Sequence, residues 1–126
     1  MPLVTLTVQE RMPQATRHRL LDAVHEALVH VGVPAADRFQ RVIALDDESL
    51  VVDAGYPDLA SPRGERFALV EVLWSAGRSV KVRRQMLQHL VERLRAGGLE
   101  PEHVMVVFKE TTWENWSFAG GRLLHA

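Results

Sequence analysis

The sequence of 126 residues contains no cysteine, a single tyrosine and only 6% aromatic residues. The absence of cysteine excludes disulfides, thiolate nucleophiles and cysteine-ligated zinc. An excess of one charge is also lacking, because 15 Lys and Arg residues oppose 16 Asp and Glu residues and leave a formal net charge of −1. Without a basic field, neither nucleic acid nor an anionic membrane is expected as the main partner.

Long apolar stretches are missing as well. None approaches the length of about 18 residues that would indicate a membrane span. The N-terminal stretch MPLVTLTVQERMPQ lacks the basic start and the continuous apolar segment of a signal peptide, so a cytoplasmic protein is expected. The length predicts one domain. A domain of this size has little room for a deep pocket, which favours an active site shared between subunits.

The first half of the chain predicts a strand, a helix and a second strand. Apolar residues and threonines alternate over residues 3–8, as is typical of a strand. Pro13 suits the first turn of the helix and Gly32 its end. The helical stripe consists of Leu20, Val24, Ala27, Leu28 and Val31. Residues 39–45, which read FQRVIAL, predict the second strand.

The second half predicts the same order of elements. Residues 67–74 form a near-continuous apolar run, which indicates a strand buried on both faces. Ser79 is a good helix N-cap, and residues 104–108 predict a fourth strand. The second helical stripe consists of Met86, Leu87, Leu90, Val91 and Leu94. Between the halves, the acidic segment 46–66 is interpreted as a connector with a short hairpin strand around Val51–Val52.

The two halves coincide when the sequence is shifted by 66 positions. Identical pairs include Arg17 and Arg83, Leu21 and Leu87, Leu28 and Leu94, and Gly32 and Gly98. The pattern predicts an α+β fold of two βαβ units related by a pseudo-twofold axis, with two helices on one face of a four-stranded sheet. The predicted segments are unit 1 (2–45), the connector (46–66), unit 2 (67–109) and an aromatic tail (110–126). A partner is expected to cover the bare face of the sheet.

Pro2 is the first candidate catalytic residue, because removal of Met1 would leave a secondary amine at the start of a strand. Burial and a nearby cation would favour the neutral form of this amine, which is a general base. The alternative is that Met-Pro is an ordinary start of the chain. The position that matches Pro2 in unit 2 is Ala68, so only one unit can carry this amine.

Arg78 and Asp37 are the next candidates. Arg78 follows a buried strand and precedes a helix, where a guanidinium and free helix N–H groups suit a carboxylate or phosphate. Asp37 precedes the second strand and can orient a water or pair with the Pro2 amine. The alternatives are a solvated arginine and a turn aspartate that pairs with Arg38 or Arg41.

The tail after the last strand carries three aromatic residues, Trp113, Trp116 and Phe118. Aromatic side chains at such a place either lock a subunit interface or wall a pocket. Six histidines show no metal-ligand spacing, and no metal site is predicted.

Taken together, these features resemble the tautomerase superfamily (the 4-oxalocrotonate tautomerase-like proteins), and within it the malonate semialdehyde decarboxylase group. The matching motifs are Met-Pro before a strand, the βαβ repeat, GRS at 77–79 and NWSF at 115–118. The segment 32–40 is similar to that group's stretch before its second strand. The resemblance covers nearly the whole chain.

The resemblance implies a homotrimer of double βαβ units with an amino-terminal catalytic proline. It assigns the proline to Pro2, the assisting aspartate to Asp37 and one arginine to Arg78, while Ala76 stands where the decarboxylases have a second arginine. It also implies that Arg11 binds substrate. The implied apolar wall of the site consists of Trp116 and Phe118.

The leading hypothesis is keto–enol tautomerisation of a small 2-oxo acid, with Pro2 as general acid/base and no metal or organic cofactor. The first alternative is a malonate semialdehyde decarboxylase or hydratase type of lyase, in which Pro2 is cationic. The second alternative is a non-catalytic trimeric interaction protein with a vestigial site. The loss of the second arginine at Ala76 is compatible with the last of these.

Overall fold

Both predicted βαβ units are present in a computed structural model, which describes residues 2–123. Met1, whose removal is part of the Pro2 hypothesis, and His125 lie outside the described residues. The strands and helices are β1 (Leu3–Gln9), α1 (Gln14–His30), β2 (Phe39–Leu45), β3 (Ala68–Ser75), α2 (Val80–Ala96) and β4 (Val104–Thr111). Short 3₁₀ helices lie at Pro101–His103 and Trp113–Asn115.

The sheet has the order β2-β1-β3-β4. Each unit contributes a parallel pair, β1 with β2 and β3 with β4, and the two units join through the antiparallel pair β1 and β3. The helices begin 66 positions apart, at Gln14 and Val80, and have the same length of 17 residues. The predicted α+β tautomerase-like fold is therefore confirmed, including the repeat on which it was based.

One core lies between the sheet and the two helices. The inward side chains of β1 and β3 are almost entirely buried, among them Leu6, Val70 and Trp74. The helices contribute matching positions of the two units, with Leu28 and Leu94 each about 1% exposed. The apolar stripes of both helices pack into one cluster with the inward side chains of β1 and β3. Both helices therefore cover the same face of the sheet.

The predicted helix boundaries follow from local chemistry. The Ser79 hydroxyl accepts a 3.2 Å hydrogen bond from the Val82 N–H and so caps α2. Gly32 follows α1 with a φ of +106°, a left-handed conformation that favours glycine. Both sequence-based assignments are confirmed.

Two details differ from the sequence-based expectation. The strand β4 continues past Phe108 to Thr111, because its last residues stay in parallel register with the end of β3. The hairpin strand expected around Val51–Val52 is wrong, since residues 50–52 belong to no strand. The connector is organised by turns instead, in which the Asp53 carboxylate accepts hydrogen bonds from backbone N–H groups of the following residues.

The face of the sheet without helices carries exposed apolar side chains. Phe39, Ile43 and Met105 are 49%, 39% and 48% exposed on it. Polar contacts lie on this face as well, among them the ion pair of Lys109 with Glu71 at 2.8 Å. Within residues 2–123, neither helix combines the length and apolarity that crossing a bilayer requires.

Candidate active site

The strand register gathers the predicted residues of both units at one end of the sheet. Leu3 of β1 lies opposite Leu73 of the antiparallel β3 and beside Phe39 of the parallel β2. The starts of β1 and β2 and the carboxyl ends of β3 and β4 therefore share one end of the sheet, which we call the Pro2 end. Pro2 directly precedes β1 and is buried.

Arg78 is held at the Pro2 end by the turn after β3. Gly77 in this turn has a φ of +111°, which a residue with a side chain rarely adopts. The Arg78 guanidinium donates a 2.9 Å hydrogen bond to the Ser75 carbonyl, and its Cζ atom lies 4.5 Å from the centre of the Trp74 ring. The cation–π contact and the hydrogen bond fix the guanidinium while most of its N–H donors remain for a ligand.

Two carboxylates lie within electrostatic reach of Arg78. Burial lowers the pKa of the Arg78 guanidinium, and the negative charges of Glu110 and then Asp37 oppose that shift. Arginine nevertheless keeps its charge at neutral pH. Asp37 is half-buried in the loop before β2. A cation from unit 2 and a carboxylate from unit 1 are thus brought together, as the family resemblance implies.

The arginines considered as partners for Asp37 bind other groups. The Arg38 guanidinium lies 2.7 Å from the Asp22 carboxylate on α1. The Nε of Arg41 donates a 2.8 Å hydrogen bond to the Thr5 hydroxyl. Of the arginines, Arg78 is the one whose pKa the negative charge of Asp37 raises against the effect of burial.

One ion pair at the Pro2 end was not predicted from the sequence. Arg83 of α2 forms a hydrogen-bonded ion pair with Glu110 of β4, and both side chains are about 30% exposed. The apolar run ends at Phe108, which hid the continuation of the strand through Glu110. Arg83 matches Arg17 in the internal repeat, and this match was the one signal in the sequence that singled out Arg83.

The aromatic tail crosses the Pro2 end. It leaves β4 at one edge of the sheet, yet the Phe118 ring lies 5.7 Å from the ring of Phe39, which begins β2 at the opposite edge. Three strand spacings, ~14 Å, separate these edges. The Trp116 and Phe118 rings stack with centres 5.7 Å apart. The two predicted wall residues thus lie together, on a segment that passes the ends of β3 and β1.

Arg11 does not lie at the Pro2 end. It follows the carboxyl end of β1, at the opposite end of the sheet. Its guanidinium pairs with Asp47 at 3.0 Å and with Glu65 at 3.3 Å. Within one chain it therefore cannot share a small substrate with Pro2, and its predicted role in substrate binding would require a second copy of the chain.

The arrangement can support acid–base chemistry on a small acid. The buried Pro2 supplies an amine if Met1 is removed, and Arg78 supplies a fixed guanidinium for a carboxylate. Asp37 adds a negative charge that stabilises a cationic amine, whereas burial and the charge of Arg78 favour the neutral amine. Ala76, at the position of the second family arginine, brings no charge to this end.

Comparison with known proteins agrees with this geometry. The family model described as "Tautomerase enzyme" matches residues 37–119. A malonate semialdehyde decarboxylase, whose structures are described as a basis for decarboxylase and hydratase activities, is 30% identical with a TM-score of 0.86, over 96% of this chain and 93% of that chain. The FG41 malonate semialdehyde decarboxylase inhibited by 3-bromopropiolate is 27% identical with a TM-score of 0.86, over 96% and 92% of the two chains.

A fused 4-OT described as a symmetric trimer shares the fold, with 24% identity and a TM-score of 0.73 over 96% of this chain and 94% of that chain. No curated protein matches the chain. A two-unit βαβ fold with a proline buried at the start of β1 and an arginine after β3 defines a tautomerase-like protein. The family match covers well over half of the chain, and the protein belongs to the tautomerase superfamily.

Proposed function

We propose that this protein is an enzyme that uses the Pro2 amine as a general acid/base for keto–enol tautomerisation of a small 2-oxo acid. The observation that carries the proposal is the convergence of the buried Pro2 and the fixed Arg78 at one end of the sheet. Arg78 binds the carboxylate of the substrate, and Pro2 moves a proton between carbon and oxygen. Trp116 and Phe118 exclude water on one side.

Burial of Pro2 supports its role as a neutral base. Desolvation disfavours the cationic amine, and the charge of Arg78 acts in the same direction. A neutral amine can take a proton from the carbon next to the oxo group and deliver it to the oxygen of the resulting enolate, which gives the enol, while Arg78 holds the substrate carboxylate. This chemistry proceeds on the residues of the Pro2 end and needs no organic cofactor.

Decarboxylation or hydration of a small oxo acid is the second candidate, and two observations favour it. Asp37 interacts electrostatically with Arg78 at the Pro2 end, and its negative charge would stabilise a cationic amine there. The decarboxylases are also more similar in structure, with TM-scores of 0.86 against 0.73 for the fused 4-OT. In this reaction the cationic Pro2 polarises the carbonyl group of the substrate, and Asp37 orients a water.

Assays on two substrates separate the candidates. Purified protein is tested with phenylenolpyruvate, which reports tautomerisation, and with malonate semialdehyde, which reports decarboxylation. For a neutral Pro2 base, activity rises with pH as the amine loses its proton; for a cationic Pro2, activity falls over the same range. Absence of turnover on both, in protein whose Met1 is shown by mass to be removed, would favour the non-catalytic interaction protein.

We further propose that the protein is a homotrimer in which the apolar face of the sheet is covered by neighbouring copies. Phe39, Ile43 and Met105 are exposed on that face of a single chain, and a similar fold occurs in a structure described as a symmetric trimer. A trimer also supplies walls for a site that a small domain forms incompletely. Sedimentation velocity is expected to give a trimer, and a stable monomer would contradict this assembly.

A further inference from the structure

The end of the sheet opposite Pro2 is the pseudo-symmetric counterpart of the candidate active site. The carboxyl ends of β1 and β2 meet the starts of β3 and β4 there, and we call it the Ala68 end. Ala68 stands where unit 1 has Pro2, and it is fully buried inside the chain. This end therefore cannot use the chemistry of a terminal amine, and its remaining side chains must be considered by themselves.

A cavity of about 380 Å³ opens at the Ala68 end. Its lining includes three arginines, Arg11, Arg19 and Arg66, and a single acid, Glu65. Small-molecule sites begin at about this size. Neither Pro2 nor Arg78 lines it, so the cavity is separate from the candidate active site.

The three arginines of this cavity differ in whether a carboxylate neutralises the charge of the guanidinium group. Arg11 is neutralised by Asp47 and Glu65, at 3.0 and 3.3 Å. Arg19 donates to neutral groups only, a 3.1 Å hydrogen bond to the Gly97 carbonyl and a 3.4 Å one to the Thr16 hydroxyl.

Arg66 has no ion pair or hydrogen bond among residues 2–123. Together with Arg19, it places two guanidinium groups at the cavity that form no ion pair among residues 2–123, although Glu100 lines the adjoining crevice with Arg66. The start of α1 adds to this field, since its first turn contains no acidic residue and no side chain caps it.

The repeat shows that the Ala68 end carries a different residue at the position that matches Asp37. The counterpart of Asp37 is His103, which cannot carry a negative charge. His103 lines a small crevice that shares Arg66 and Thr16 with the cavity, and both of its ring nitrogens are buried without a hydrogen-bond partner among the described residues. The counterpart of Arg78 is Met12, so this end is not a copy of the carboxylate site at Pro2.

From the cavity and its two uncompensated guanidinium groups, we propose that the Ala68 end binds a small, multiply charged oxyanion, such as a phosphate group or a dicarboxylate. Guanidinium groups such as those of Arg19 and Arg66 offer forked N–H donors that suit the oxygens of either group. The acidic residues near Arg11, among them Asp46 and Glu48, line a different cavity. Arg11 lines both cavities and pairs with Asp47 on that acidic side.

The site is tested by titrating the full chain with inorganic phosphate and, separately, with malonate, while amide NMR shifts of Thr16 and Gly98 are followed at constant ionic strength. Arg78→Ala protein is used alongside the wild type, so that binding at the Pro2 end does not contribute. We expect both proteins to bind at least one of the anions with equal affinity. Phosphate alone indicates a phosphate-bearing ligand, and malonate alone indicates a dicarboxylate.

Arg66→Ala is expected to weaken this binding at least tenfold, since one of two charges is lost. Arg84→Ala, which removes an exposed arginine of α2, is the matched control and should leave affinity unchanged. Because Arg66 makes no polar contact among the described residues, its replacement should not disturb folding. The proposal is overturned if neither anion binds the wild type at up to about 10 mM, or if Arg66→Ala binds as tightly as the wild type.

Discussion

Replacing Pro2 by alanine is expected to lower kcat/KM by about 10²-fold or more in whichever reaction the protein catalyses. A positioned acid or base contributes about 10²–10⁴-fold to a rate. Alanine leaves a primary amine without the pyrrolidine ring that fixes the nitrogen at the start of β1. The measurement is steady-state kinetics on protein whose intact mass shows that Met1 has been removed.

Pro62→Ala is the matched control for this variant. Pro62 is an exposed proline of the connector, so its replacement changes a proline without touching the Pro2 end. We expect the control to keep the activity of the wild type. If Pro2→Ala stays within about threefold of the wild type, Pro2 is not the catalytic group.

Replacing Arg78 by alanine is the second change with a large expected effect. It removes a half-buried guanidinium that lies over the Trp74 ring and is proposed to bind the substrate carboxylate. Loss of one partner of such a charged pair costs about 3 kcal/mol, or about 10²-fold in kcat/KM. Most of the loss should appear as a raised KM, because the carboxylate is bound in the ground state and the transition state alike.

Arg78→Lys should recover only part of the affinity, since an ammonium cannot bind both carboxylate oxygens in the plane of a fork. Arg84→Ala removes an exposed arginine on α2 and should leave KM unchanged. Thermal unfolding of each variant separates lost binding from lost stability. An Arg78→Ala protein with normal folding and the KM of the wild type would remove Arg78 from the site.

The fold could be predicted from the sequence because local and repeated signals agree. The helical stripe around Leu28 and its counterpart around Leu94 fix the helices, and Ser79 and Gly32 mark two of their ends. The repeat then sets the arrangement of the two units. The short apolar run at Val51–Val52 gave a wrong prediction, because a strand needs a partner in the sheet and turns around Asp53 organise that segment instead.

The candidate site was predictable only in part. Pro2, Asp37 and Arg78 were candidates from their places in the sequence, and the family resemblance assigned their roles. The register of β1 with β2 and β3 explains why they share one end. The ion pair of Arg83 with Glu110 joins a helix to a neighbouring strand. No local pattern encodes such a contact, because its partners are distant in sequence.

The path of the tail also could not be predicted from local sequence patterns. The contact of Phe118 with Phe39 joins residues from opposite edges of the sheet. The aromatic residues of the tail predicted either a subunit interface or the wall of a pocket. Which of the two they form depends on where the chain turns after β4. Their position across the Pro2 end is what links them to the proposed reaction.

The central claim is that the amino group of Pro2 is the reacting group, and covalent labelling tests it most directly. 3-Bromopropiolate inhibits a similar decarboxylase, and its alkyne carbon can be attacked by an amine. The protein is treated with this reagent, and the peptides are mapped by mass spectrometry while residual activity is measured. The account predicts one adduct per chain, on the peptide that begins with Pro2, formed in step with the loss of activity. A label confined to other residues, or full activity in protein labelled at Pro2, would contradict it.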